Sequence, residues 1–317
     1  PYKVTHGDVE GFVAELMGRD KATSRDMRRI HIFQSHAELS AAIVDGNMLG
    51  ETVAKEEIES ITKKGAYIHG NGVAFVRLNN GVKHAFFILD EMDMASDQMS
   101  VAGIFVHEVG VHMGMQSLMG GKATSKVANT IRSWASRNDG SIEQQVALEV
   151  EARIDYIQET HKARGEALMT QAEVDSETVA YAVQFGVQNH GINPIASKPG
   201  PKGSLRSIIK TAYNTLKNFM DSLTGGNAKS ITIENLVDAA YGAARLEINK
   251  TYHVSTTEKI GDVDLTHAGS GLDGAVNGFG FNIADRFGSA GVYAKEISKG
   301  ATKPVKLNSL LNLSKKD

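Results

Sequence analysis

One stretch constrains this chain more than any other: Val106-His107-Glu108-Val109-Gly110-Val111-His112-Met113-Gly114-Met115. Its apolar character predicts a buried helix, yet it carries two imidazoles and a carboxylate. Burying such groups is costly unless something pairs with them. A metal ion held by His107 and His112 is such a partner. The two histidines stand five apart, however, and at roughly 100° per residue an ideal α-helix would set them about 140° apart. A one-residue π-bulge, which adds an i→i+5 turn and is frequent at functional sites, restores a shared face. Gly110 lies inside the turn that must widen.

A third ligand is expected on a later helix. Residues 141–160 carry Val146, Leu148, Val150, Ile154 and Ile157 at helical spacing, with Glu149 and Glu151 among them. Two glutamates two apart cannot share a helical face, so one can be a ligand while the other points elsewhere. Ala152, three after Glu149, suits close helix packing. Asp155, four after Glu151, is placed to accept a ligand histidine's second N–H. Spacing leaves that choice open. Two imidazoles and one carboxylate make an open Zn²⁺ site in which water is acidified, and Glu108 is placed to take the proton. An oxyanion stabiliser is also expected. Tyr156, His161, Tyr181 and His190 are the downstream candidates.

The residues from His107 to Met115 resemble the His-Glu-x-x-x-His-x-Gly-Leu helix of zincin-like metallopeptidase domains in the large polyvalent proteins of bacteriophages and conjugative elements. The dipeptidyl peptidase III family has the same five-residue spacing. Upstream, Ile32-Phe33-Gln34-Ser35-His36-Ala37-Glu38-Leu39 resembles the strand and following segment that open those polyvalent domains. Gly65-Ala66-Tyr67 and Phe75-Val76 resemble their next strands, so the resemblance covers residues 28–160. Members tend to have glycine directly before the second histidine, where this chain has Val111. Glu149 with Ala152 matches the Glu-x-x-Ala pattern of gluzincin-type families, so the resemblance assigns the third ligand to Glu149, with Glu151 as the alternative.

What the resemblance implies is an α+β, zincin-like metallopeptidase fold: a small N-terminal β-sheet and an active-site helix, followed by a helical region. The implied activity is zinc-dependent hydrolysis of peptide bonds by a protein of phage origin, part of a larger polyvalent or virion-associated protein. Polypeptide substrates and other virion or polyvalent-protein segments are the implied partners, in the virion or the host cytoplasm. The alternative is a structural or ejected virion protein that retains the peptidase fold without turnover.

Composition narrows the setting. With no cysteine the chain has no disulfide or thiolate site, and any metal must be held by His, Asp and Glu. A net charge of -3 with no basic patch gives no indication of nucleic acid. No apolar run approaches the ~20 residues of a membrane span, and no signal peptide is recognised. The chain begins at Pro1 and not at methionine, which reads either as an artificial start or as a piece cut from a longer precursor.

Periodicity and turn residues predict a helix at 9–17, a strand at 30–33 and a helix at 37–44. Strands at 73–78 and 84–89 follow, joined by Asn79-Asn80-Gly81. Residues 96–119 are expected to form the metal helix, capped by Ser96 and closed by Gly120-Gly121. Further helices are expected at 122–137, 141–160, 173–190, 205–223 and 231–246. Asp90-Glu91-Met92-Asp93 reads as a solvated loop, and the methionines at 92, 94, 99, 113, 115 and 119 as packing.

Three of the five prolines, Pro194, Pro199 and Pro201, mark a boundary. The expected organisation is a peptidase domain at 1–192, a linker and helical pair at 193–250, and a glycine-rich tail at 251–317. Within the tail, Tyr252-His253-Val254-Ser255, Gly269-Ser270-Gly271, Gly278-Phe279-Gly280-Phe281-Asn282-Ile283-Ala284-Asp285 and Tyr293 resemble the opening of an ADP-ribosyltransferase-like module of polyvalent proteins. Val254 and Asn282 replace a glycine and a tyrosine of that pattern, and Asp317 comes before its remaining strands and glutamate. No cofactor-binding residue is assigned there, and no NAD chemistry is expected of this chain alone.

Overall fold

The computed structural model describes residues 3–44, 74–79, 82–92, 98–197, 205–224, 231–249, 252–255 and 306–309. The expected features at Gly65-Ala66-Tyr67, Val73, Asn80-Gly81, Asp93, Met94, Ser96, Pro199, Pro201 and most of the glycine-rich tail lie outside the described residues.

Apolar periodicity places the first helix, α1 (His6–Leu16), which buries Val9, Phe12, Val13 and Leu16 and starts where Asp8 accepts the Thr5 N–H at 2.7 Å. Short runs rich in isoleucine, valine and phenylalanine then build a three-stranded sheet from β1 (Ile30–Phe33), β2 (Ala74–Asn79) and β3 (Val82–Ile88). Its order is β1-β3-β2. β1 runs parallel to β3 with Ile30 opposite Ala85, and β2 is antiparallel to β3. The crossover after β1 contains α2 (His36–Val44).

A 3-10 turn (Leu89–Met92) precedes α3 (Gln98–Phe105). From there the chain passes directly into a π-helix (Val106–Met115) and then α4 (Gln116–Ala135). The helix expected to end at Met119 does break there. Gly120 has φ 68° and ψ 171°, a left-handed conformation that glycine adopts without steric cost, and helical geometry resumes after it. Ser141 caps α5 (Ile142–Ala163), and a Thr170/Glu173 capping box starts α6 (Gln171–Gln188). A single turn, α7 (Pro194–Ser197), leads to α8 (Leu205–Thr224) and α9 (Ile233–Ile248).

Helices dominate, and one apolar core runs from α1 to α9, taking in Met92, Met113, Met115 and Trp134. The boundary expected at residue 193 does not separate a unit. α9 makes the most extensive contact with the π-helix of any described element, and residues 1–249 form one compact unit. A buried ion pair reinforces this, Arg29 beside β1 donating to Glu247 on α9 at 2.8 Å. Residues 250–317 form a second unit, in which β4 (Tyr252–Ser255) pairs antiparallel with β5 (Lys306–Ser309). Among the described residues no helix is long and apolar enough to cross a membrane.

Candidate metal centre

A π-helix closes its turns at i→i+5, so residues five apart lie on one face. His107 and His112 accordingly converge, with Nε2 atoms 3.1 Å apart and ring centres 4.9 Å apart. The third group comes from α6. Glu177 places Oε2 3.5 Å from His107 Nε2 and Oε1 3.4 Å from His112 Nε2. Around a tetrahedral zinc with bonds near 2.0 Å, ligand atoms stand about 3.3 Å from one another. The nitrogen pair, and each nitrogen with its nearer Glu177 oxygen, stand close to that separation, so two imidazole nitrogens and a carboxylate form a group that could hold a metal ion. His107 and Glu177 are each only 6% exposed, so water contributes little to satisfying them. Glu108, also buried, lies beside the three with Oε1 3.9 Å from His107 Nε2.

Neighbouring groups hold these side chains in place. The Gln116 amide donates to Ser176 Oγ at 2.6 Å, which turns its oxygen toward His112 Nδ1 at 3.3 Å. That arrangement assigns a proton to Nδ1 and directs Nε2 toward Glu177. Lys83 on β3 donates to the His112 carbonyl, tying the sheet to the widened turn. Arg132 donates to Asp175 at 2.6 Å, pinning α6 to α4 two residues before Glu177. In the metal-free chain burial pulls the His112 imidazole down, but the Glu177 carboxylate, joined by Glu108 and Gln116, outweighs it and pushes the pKa up to about 9. A cation entering the site must displace that proton.

Glu149 is not at this centre. It lies on α5, where Asn189 donates to Oε2 at 2.9 Å and His190 Nε2 stands 3.4 Å from Oε1. Glu151, Ala152 and Asp155 are exposed. The reason is packing: α5 turns Val146, Val150, Ile154 and Ile157 inward, leaving its acidic residues on the flanks, and α6 rather than α5 packs against the π-helix. A signal for Glu177 was present in the sequence. It opens the run Glu177-Thr178-Val179-Ala180-Tyr181-Ala182-Val183, and a carboxylate on an apolar helix needs a partner for the same reason as the two histidines.

Two further corrections concern the π-helix. It spans 10 residues instead of a single widened turn. Gly110 also serves a different purpose from the one its position suggests. A β-carbon there would lie 2.7 Å from the Ala240 carbonyl oxygen, and one at Gly114 would lie 2.7 Å from Ala243 Cβ. These glycines let the π-helix approach α9. Of the four oxyanion candidates, the structure brings Tyr181 to the site, its ring edge-on to His107 with centres 4.8 Å apart. Burial, then the Glu177 charge, pushes its phenol up to about 12, so it stays neutral. Tyr156 is mostly exposed, His161 faces the Ala167 carbonyl at 3.0 Å, and His190 sits with Glu149.

No family model, curated protein or solved structure matches this chain.

Proposed function

We propose that this chain is a zinc-dependent peptidase in which His107, His112 and Glu177 hold the metal and Glu108 is the general base. The observation that carries the reading is the convergence of buried His107 and Glu177 with half-buried His112 at spacings a metal ion can bridge, with a second buried carboxylate beside them. Zinc suits imidazole and carboxylate ligands, and when bound it supplies Lewis-acid chemistry, polarising a carbonyl and acidifying water. Glu108 takes a proton from the attacking water and returns it to the leaving amine. Gln116 and Ser176 keep His112 in the tautomer that presents Nε2. On the resemblance of its histidine helix, the chain belongs to a polyvalent or virion-associated phage protein acting on polypeptides in the virion or host cytoplasm.

One observation favours a second reading. Glu177 stands within ion-pairing distance of both histidines, so the cluster also serves as a buried polar network, as in a structural virion protein without turnover. Elemental analysis and digestion of a peptide library separate the two. The peptidase reading expects one zinc per chain, lost in His107→Ala, and cleavage reduced about 10²–10⁴-fold in Glu108→Gln with zinc retained. Zinc without cleavage leaves the structural reading, and no zinc removes the metal assignment.

A further inference from the structure

The guanidinium carbon of Arg153, on α5, lies 5.3 Å from the centre of the Tyr181 ring and 5.5 Å from the centre of the Tyr156 ring. Arg153 and Tyr156 are three apart on one helix and therefore neighbours, while Tyr181 reaches across from α6. The two rings differ in setting: Tyr181 is 5% exposed and packs on His107, whereas Tyr156 is 54% exposed. The cation is thus held at the rim of the metal centre, one aromatic ring away from a ligand histidine.

The charge around it gives this position meaning. With zinc bound the Glu108 and Glu177 charges are offset by the ion, and Arg153 adds a positive group at the rim for a substrate anion. Stacking on aromatic rings engages the faces of a guanidinium, whereas a carboxylate is bound through its edge, by paired N–H donors. Tyr181 carries a phenol O–H on the ring beside the guanidinium, a further donor for the same carboxylate.

We infer that Arg153, clamped by Tyr156 and Tyr181, is the receptor for a substrate carboxylate close to the scissile bond. The substrates are then peptides bearing negative charge there, supplied by a free C-terminus or by an acidic side chain. The inference rests on the peptidase reading and names the substrate class for that site.

Calorimetric binding to the zinc-loaded full chain carrying Glu108→Gln tests it without turnover. The probes are N-acetyl-tetra-alanine as the free acid, the same peptide as its C-terminal amide, and the amide with its third alanine replaced by glutamate. The free acid, the glutamate peptide or both should bind about tenfold or more tighter than the neutral amide, and whichever does so identifies the source of the charge. Adding Arg153→Gln should bring all three to the level of the amide with zinc content unchanged, and Arg153→Lys should keep part of the preference. Equal binding of the three probes, or a preference that survives Arg153→Gln, overturns the receptor. Digestion of the neutral amide by the unaltered zinc-loaded chain reports on the peptidase reading separately. Carboxylate preference without any cleavage would leave the receptor standing and remove the peptidase.

Discussion

At the scale of single residues, the third ligand is the sharpest test of the metal centre. Glu177→Ala removes the only carboxylate among the described residues that spans both His107 and His112, so zinc affinity should collapse, whereas Glu149→Ala, which disturbs Asn189 and His190, should leave it unchanged. Gln116→Ala frees the His112 ring from its orienting partner and should weaken zinc about 10–100-fold, the usual cost of losing such a contact. Competition titration against a chromogenic chelator measures all three. Loss of zinc in Glu149→Ala with retention in Glu177→Ala would reverse the ligand assignment. His107, Glu108 and His112 were legible in the sequence because their spacing and apolar surroundings lie within one short stretch. Glu177 stands 65 positions after the second histidine and belongs to no local pattern, so only its unexplained place on an apolar helix pointed to it.

At the scale of elements, helices and strands followed their caps and periodicities closely. The Ser141 and Thr170 caps sit at the starts of α5 and α6, and Gly120 interrupts the long helix where a stop was expected. The length of the π-helix was not legible, because it is shared with a partner distant in sequence. Gly110 and Gly114 lie against Ala240 and Ala243 of α9, contacts that no local pattern encodes. Sequence logic treats Gly110→Val as a local insult to the metal turn. With the Ala240 backbone 2.7 Å from the added carbon, the substitution should instead push α9 away. Overpacking of this kind costs about 1–3 kcal/mol, and a backbone neighbour that cannot rotate aside favours the upper end. Gly11 on α1 is exposed with nothing within 4 Å, so Gly11→Ala should stabilise by roughly 0.5–1 kcal/mol and serves as the control. Urea unfolding of the metal-free chains reads both. A Gly110→Val protein of unchanged stability that had lost only its zinc would restore the local explanation.

For the whole molecule, the first 249 residues bring the sheet, the π-helix and α9 into one core, so pH acts on a single cooperative body through its buried histidines. His31 on β1 and His84 on β3 share a 3.0 Å hydrogen bond with stacked rings. Burial, then the neighbouring His84, lowers His31 to about 3; burial, then Arg29, lowers His84 to about 4. Both fold as neutral rings, while the unfolded chain binds protons below its ordinary value near 6.5. Their contribution is therefore complete above about 6.5 and falls as pH drops toward the folded values. His112 acts in the opposite sense in the metal-free chain. Its pKa of about 9 makes its contribution complete below about 6.5 and lost as pH rises through 9. Metal-free protein should thus be most stable near pH 6.5, with its urea midpoint declining on both sides. The diagnostic windows are about pH 5 to 6.5 for the strand pair, above the range where carboxylates protonate, and 6.5 to 9 for His112. Saturating zinc requires neutral His112 in both windows, so it should abolish the decline above 6.5, and apparent zinc affinity should rise with pH until about 9. His31→Phe should make the acid side shallower, leaving the His84 share, without changing the alkaline side. A zinc-loaded chain that still loses stability between pH 6.5 and 9 would show that His112 is not the group the metal takes.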